Sequence, residues 1–193
     1  MNYTLWKLVH LLGLTLIAGG LMGVLVSDMR SRQLQVLTSF AEAVRNIAVF
    51  YDGLVVPGAI LLGASGIALV HEVHGGWQSL REPWVAGMVG LFLFEFIEGN
   101  TITRIYFMRL RRLTQAALPE GRFTPALQSA RAERLSTFTH FLDLPMLLLI
   151  VTLGVVRPDT WDLFLAGSAL ALLMAGALTV LIPRMYPWKQ AVS

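Results

Sequence analysis

Glu95 and Glu98 stand three residues apart inside a run apolar enough to enter a bilayer, WVAGMVGLFLFEFIEGN, which leads into Arg104, Arg109, Arg111 and Arg112. A carboxylate at that depth costs roughly 2.5–3.5 kcal/mol on insertion scales, so it must face other helices or water instead of lipid. At a spacing of three, both project from one helix face. That face is therefore the inner one, and its partners come from elsewhere in the chain. Asp52 and Asp143 occupy two further apolar runs at a comparable depth from the arginine-rich end, with His140 one turn shallower on the Asp143 face. Arg104 stands close enough in sequence to neutralise one carboxylate, and Asn100 adds a donor. Carboxylates gathered in low dielectric cannot all carry charge at once. The chemistry expected of Asp52, Glu95, Glu98, Arg104, His140 and Asp143 is a proton relay or a cation site opening toward the arginine-rich side. The structural alternative is a buried arginine–carboxylate–histidine network that fixes helix register.

A second polar layer lies at the opposite end. His10 is about one turn into the first apolar run, and His71 and His74 sit where the second run emerges, with Glu72 between them. Histidines at i and i+3 share a helix face, a spacing that permits joint metal binding by His71, His74 and Glu72. His10 can instead pair with His71 across a b-type haem, each ring needing a hydrogen bond on its second nitrogen. His140 cannot join them, because a core ~30 Å thick separates the two layers. The alternative is that His71 and His74 are ordinary interfacial residues.

Other chemistry is excluded or unsupported. The chain has no cysteine, which removes disulfides, Cys-ligated zinc, iron–sulfur clusters and thiol catalysis. His71-Glu72-Val73-His74 is one residue short of the zinc-protease spacing, and no nucleophile elbow or phosphate loop is present. No basic groove interleaved with aromatics marks a nucleic-acid partner.

These residues must be positioned by membrane-spanning helices. Of 193 residues, 55% are hydrophobic and 14% charged, against about a quarter charged in soluble domains. Apolar runs at about 5–26, 47–70, 84–107, 138–156 and 161–182 are each long enough to cross a bilayer, which predicts a single all-α domain over 1–193, a bundle of about five spans. The first run is too long for a signal-peptide core and has no small-residue cleavage site after it, so it reads as a retained span. Gly19 and Gly23 form a small-xxx-small pair suited to close helix approach. The polar stretch Arg30 to Asn46 carries a helical apolar face and either lies on the membrane surface or extends the next helix. Within the polar loop 113–136, Thr124-Pro125 reads as an N-cap and first helical position. The fifth run has one charge, Asp162, at its start, and reads as the most lipid-facing helix. Twelve of the fifteen basic residues fall on one side of the bundle, leaving Lys7, Arg81 and Arg157 on the other. By the positive-inside rule, the N-terminus is expected outside and the C-terminus in the cytoplasm.

The opening Leu5-Trp6-Lys7-Leu8-Val9-His10-Leu11-Leu12-Gly13, the segment from Ala43 to Leu69 and the five-span layout resemble a bacterial family of predicted integral membrane proteins of unknown function. More distantly, the Lys7-x-x-His10-x-x-Gly13 pattern is similar to the membrane protoporphyrinogen-oxidase and copper-resistance membrane families. That resemblance implies haem or copper at His10. The Trp-Phe-Ala-Gly run of the oxidase family is here Leu16-Ile17-Ala18-Gly19, and Glu95 and Glu98 stand where its third span carries a basic residue. The combined expectation is a multi-pass protein of a bacterial inner membrane, binding b-type haem or a metal ion on its outer side in a redox-linked or accessory role. A small proton- or cation-coupled transporter or channel, and a scaffold joining other membrane subunits or copies of itself, are the alternatives.

Overall fold

The computed structural model describes residues 3–73 and 75–187, so His74, Trp188 and Lys189 lie outside the described residues. The five apolar runs become five helices long and apolar enough to cross a membrane, over Tyr3–Gln33, Leu37–Val73, Pro83–Glu120, Arg134–Val156 and Asp162–Met185. No strand occurs among the described residues. The first is α1, Tyr3–Gln33. The second is compound: α2, Leu37–Phe50, passes through a π-helical turn at Tyr51–Val55 into α3, Val56–Val73. The third is built the same way, from α4, Pro83–Glu98, through a π-helical turn at Gly99–Thr103 into α5, Arg104–Ala117. A short α6, Pro125–Arg131, precedes α7, Arg134–Val156, and α8, Asp162–Met185.

Of the two readings of Arg30 to Asn46, the chain adopts the second. α1 runs on to Gln33, and the amphipathic segment from Leu37 is the opening of the second long helix. Thr124 caps α6 by accepting from the Leu127 N–H at 3.3 Å, with Pro125 at the first helical position. Gly75 and Gly76, with φ of 76° and 75°, end the excursion from α3 in the left-handed conformation that glycine adopts without penalty.

α1 packs on α3 and α2, α7 packs on α8 and α4, and α1 also touches α7. The closest backbone approach is not at Gly19 and Gly23. Gly19 faces open space and Gly23 accommodates the Phe50 ring, whereas a Cβ on Gly13 would lie 2.7 Å from the Leu62 nitrogen and one on Gly58 2.9 Å from the Gly13 carbonyl. α8 buries only Ala171 and Ala175 among its described residues, as its sparse polarity predicts.

At the arginine-rich end, α2, α5 and α6 extend the bundle beyond the apolar spans around a core of Phe40, Ile47, Leu110 and Leu127. The Arg131 guanidinium is packed over the rings of Phe40 (4.9 Å) and Phe123 (4.7 Å). Burial pushes it down to about 10, so it stays charged at neutral pH and gains from both ring faces.

Candidate functional site

Glu95, Glu98 and Asp143 converge in the bundle interior, each offering a carboxylate oxygen within 4.8 Å of the other two. α4 contributes the two glutamates at i and i+3, and α7, packed against it, contributes Asp143. Glu98 and Asp143 are buried and Glu95 is half-buried. No N–H or hydroxyl donor among the described residues reaches Glu95 Oε1, Glu98 Oε2 or Asp143 Oδ2. Glu95 and Asp143 thus face each other across the α4–α7 seam as two groups that, when ionised, can only accept.

His140, 5% exposed, directs Nδ1 at Asp143 Oδ2 across 3.8 Å. That is beyond hydrogen-bond length, and neither ring nitrogen finds a protein partner. The ring is held edge-on by Phe107 at 5.4 Å, and its α7 neighbour Phe141 tilts against it. Of the six residues expected at this level, the structure brings Glu95, Glu98 and Asp143 together and sets His140 beside Asp143.

Asp52 and Arg104 do not join it. They form an ion pair with each other at 3.1 Å, with side chains 47% and 40% exposed. The depth expected for Asp52 is right, but its face is wrong: the π turn places Tyr51 inward and Asp52 outward. Arg104 is thereby spent outside the cluster and neutralises none of the three carboxylates. Asn100 is also occupied, donating from Nδ2 to the Phe96 carbonyl at 2.8 Å.

Several participants escaped the sequence reading. Thr103 donates to Glu98 Oε1 at 2.8 Å and bonds to Thr139 at 3.1 Å, forming a buried hydroxyl pair that leads toward the arginine-rich end. Tyr51 donates to the Gly99 carbonyl at 2.8 Å, tying one π turn to the other. Asp28 and Arg32 form a buried pair at 2.9 Å, with the Arg32 guanidinium 5.8 Å from the Phe141 ring. The i, i+4 spacing of that last pair was a usable signal, provided α1 was carried past its apolar portion. Beside the cluster lies a cavity of about 70 Å³ bounded by Tyr51, Phe92, Glu95, Asn100, Asp143 and Leu147, space enough for a few waters.

The outer histidines are arranged differently. His10 Nδ1 meets the Ser65 hydroxyl of α3 at 3.0 Å. Ser65 is six residues from His71, ~9 Å along the helix at 1.5 Å per residue, and His71 and Glu72 are exposed. The structure thus brings His10 to Ser65 and not to His71, while the proposed partner His74 lies outside the described residues.

No match was found among curated proteins or among solved structures. A family model described as "Predicted integral membrane protein (DUF2269)" matches residues 4–158, a stretch that holds every residue of the cluster and ends before α8. With five bilayer-length apolar helices and most of its length inside that match, the chain is a multi-pass integral membrane protein and belongs to the DUF2269 family.

Proposed function

We propose that this protein is a small cation transporter or channel of a bacterial inner membrane, with its cation site at Glu95, Glu98 and Asp143. One observation carries the reading: three carboxylates meet inside the bundle, and no arginine or lysine among the described residues forms an ion pair with any of them. Uncompensated acidic groups at that depth are costly enough that they mark ion pathways in membrane proteins. Two features support it. The adjoining cavity gives Glu95 and Asp143 open space of about 70 Å³, and the Thr103–Thr139 hydroxyls give Glu98 a polar approach toward the arginine-rich end. With the charge bias read by the positive-inside rule, that second approach leads to the cytoplasm.

A haem between α1 and α3 has less support, since Ser65 engages the His10 ring and the two helices approach to backbone contact at Gly13 and Gly58. The direct test is flux in proteoliposomes holding the purified chain, read with entrapped dyes for protons and for divalent cations. Wild type is expected to conduct one of them, and the double variant Glu95→Gln/Glu98→Gln to lose it. Flux unaltered by that double neutralisation, or no flux of either kind in wild type, would remove the proposal.

A further inference from the structure

Building on the cation-site reading above, we propose that the cluster takes a divalent first-row metal ion, with Glu95 and Glu98 of α4 and His140 and Asp143 of α7 as its protein ligands. The four residues form two i, i+3 pairs on facing helices, Glu95-x-x-Glu98 against His140-x-x-Asp143. Paired ligands at that spacing, projecting inward from packed helices, are how helical bundles build carboxylate–histidine metal sites.

Geometry and missing partners point the same way. Around one ion with ligands at 2.0–2.2 Å, donor atoms lie ~3 Å apart when adjacent and ~4.2 Å when opposite. The three carboxylate oxygens already lie within 4.8 Å of one another, and a rotation of the His140 ring from its place 3.8 Å from Asp143 would bring in the fourth ligand. The His140 ring is the independent observation. It is almost wholly buried, neither nitrogen has a protein partner, and Nδ1 is aimed at Asp143 from 3.8 Å. A donor so placed gains little from Asp143 directly but completes a ligand set if an ion sits between them. Thr103 fixes Glu98 through Oε1, leaving Oε2 free to face the site, the orienting role that outer hydrogen bonds play around bound metals.

The surroundings leave the charge to be met by the ion. Tyr51 contributes a hydroxyl already committed to Gly99. Asp28 and Arg32, on the α1 side of His140, neutralise each other. Arg104 is held by Asp52. Three oxygen ligands and one imidazole, with no cysteine in the chain, suit Mn²⁺, Fe²⁺, Co²⁺ or Zn²⁺ and not a soft monovalent ion such as Cu⁺.

The test uses Co²⁺ alone as the probe. The full chain, purified in detergent and stripped with a chelator that is then removed, is titrated with Co²⁺ and followed by calorimetry and visible d–d absorption. One Co²⁺ per chain is expected, with bands that shift in His140→Gln and affinity reduced at least tenfold in both His140→Gln and the isosteric Glu98→Gln. Asp52→Asn, outside the site, is expected to bind as wild type does. A monodisperse gel-filtration profile and an intact tryptophan-monitored melt establish that each variant is folded; should His140→Gln fail that check, Glu98→Gln alone decides. No binding by wild type, or binding and bands indifferent to the variants, overturns the metal assignment. If proton flux persists in that event, the cation-site reading survives without the metal; if no flux is seen either, both fall.

Discussion

Replacing Asp143 by asparagine should make the metal-free protein more stable, because the carboxylates it meets are not compensated. Any two of Glu95, Glu98 and Asp143 that carry charge together do so with oxygens no more than 4.8 Å apart. At an effective dielectric of about 20, that repulsion is roughly 3.5 kcal/mol or more. Asparagine takes one carboxylate out of the cluster and supplies an N–H to an oxygen that has no donor now. Because crowded carboxylates relieve part of their repulsion by taking up protons, the net gain is set at about 1–3 kcal/mol, or about 3–10 °C in Tm for a chain of this length. The measurement is a thermal melt in chelator, followed by the fluorescence of the five tryptophans, since a chain without cysteine offers nothing to a thiol-reactive dye. Adding Co²⁺ should reverse the order, because only wild type then gains the full binding term. An Asp143→Asn protein that melts at or below wild type in chelator would show the charge to be compensated, and would refute the reasoning.

Two further expectations concern the surrounding bundle. Gly58→Ala places a Cβ 2.9 Å from the Gly13 carbonyl and the Ile17 nitrogen; backbone must move, and the melt should fall by the equivalent of about 1–3 kcal/mol, while Gly19→Ala, facing open space, should stay within about 0.5 kcal/mol of wild type. Arg104→Gln breaks an exposed pair with Asp52 and should cost no more than about 1 kcal/mol, with Co²⁺ affinity unaltered in the calorimeter.

What the sequence made legible follows from what fixed helical rise can convey. Counting residues from the end of a span gives depth, so the common level of Glu95, Glu98, Asp143 and His140 could be read from two separate runs. Counting does not give the direction a side chain faces once a helix departs from 3.6 residues per turn. Asp52 was therefore placed at the right level and on the wrong side, and Arg104 with it. At the other end, matching depth alone joined His10 to His71, but packing decides partners: the glycine-mediated approach of α1 to α3 sets Ser65 against the imidazole. Which of several glycines makes that approach depends on the facing helix, which is why Gly13 and Gly58 could not be distinguished from Gly19 and Gly23 in advance.

The two π turns explain both the error and the site. In an α-helix, residues five apart lie about 140° around the axis from each other, so Thr103 could not reach Glu98. A π turn widens the ring to i, i+5 hydrogen bonding and brings such residues together; the 2.8 Å bond from Thr103 to Glu98 is a consequence of the wide turn at Gly99–Thr103. The wide turn at Tyr51–Val55 does the same on the neighbouring helix, turning Tyr51 toward Gly99 and Asp52 away. Gly99 has no side chain to obstruct this, and a Cβ there would stand 2.7 Å from the Tyr51 hydroxyl. The helices thus depart from regular geometry in two places, and a single hydrogen bond joins the two at the level where the acidic side chains gather. A register-fixing network would need none of this, since regular helices pack without wide turns. π turns recur at functional sites in helical proteins, and here both fall on the layer that holds the carboxylates.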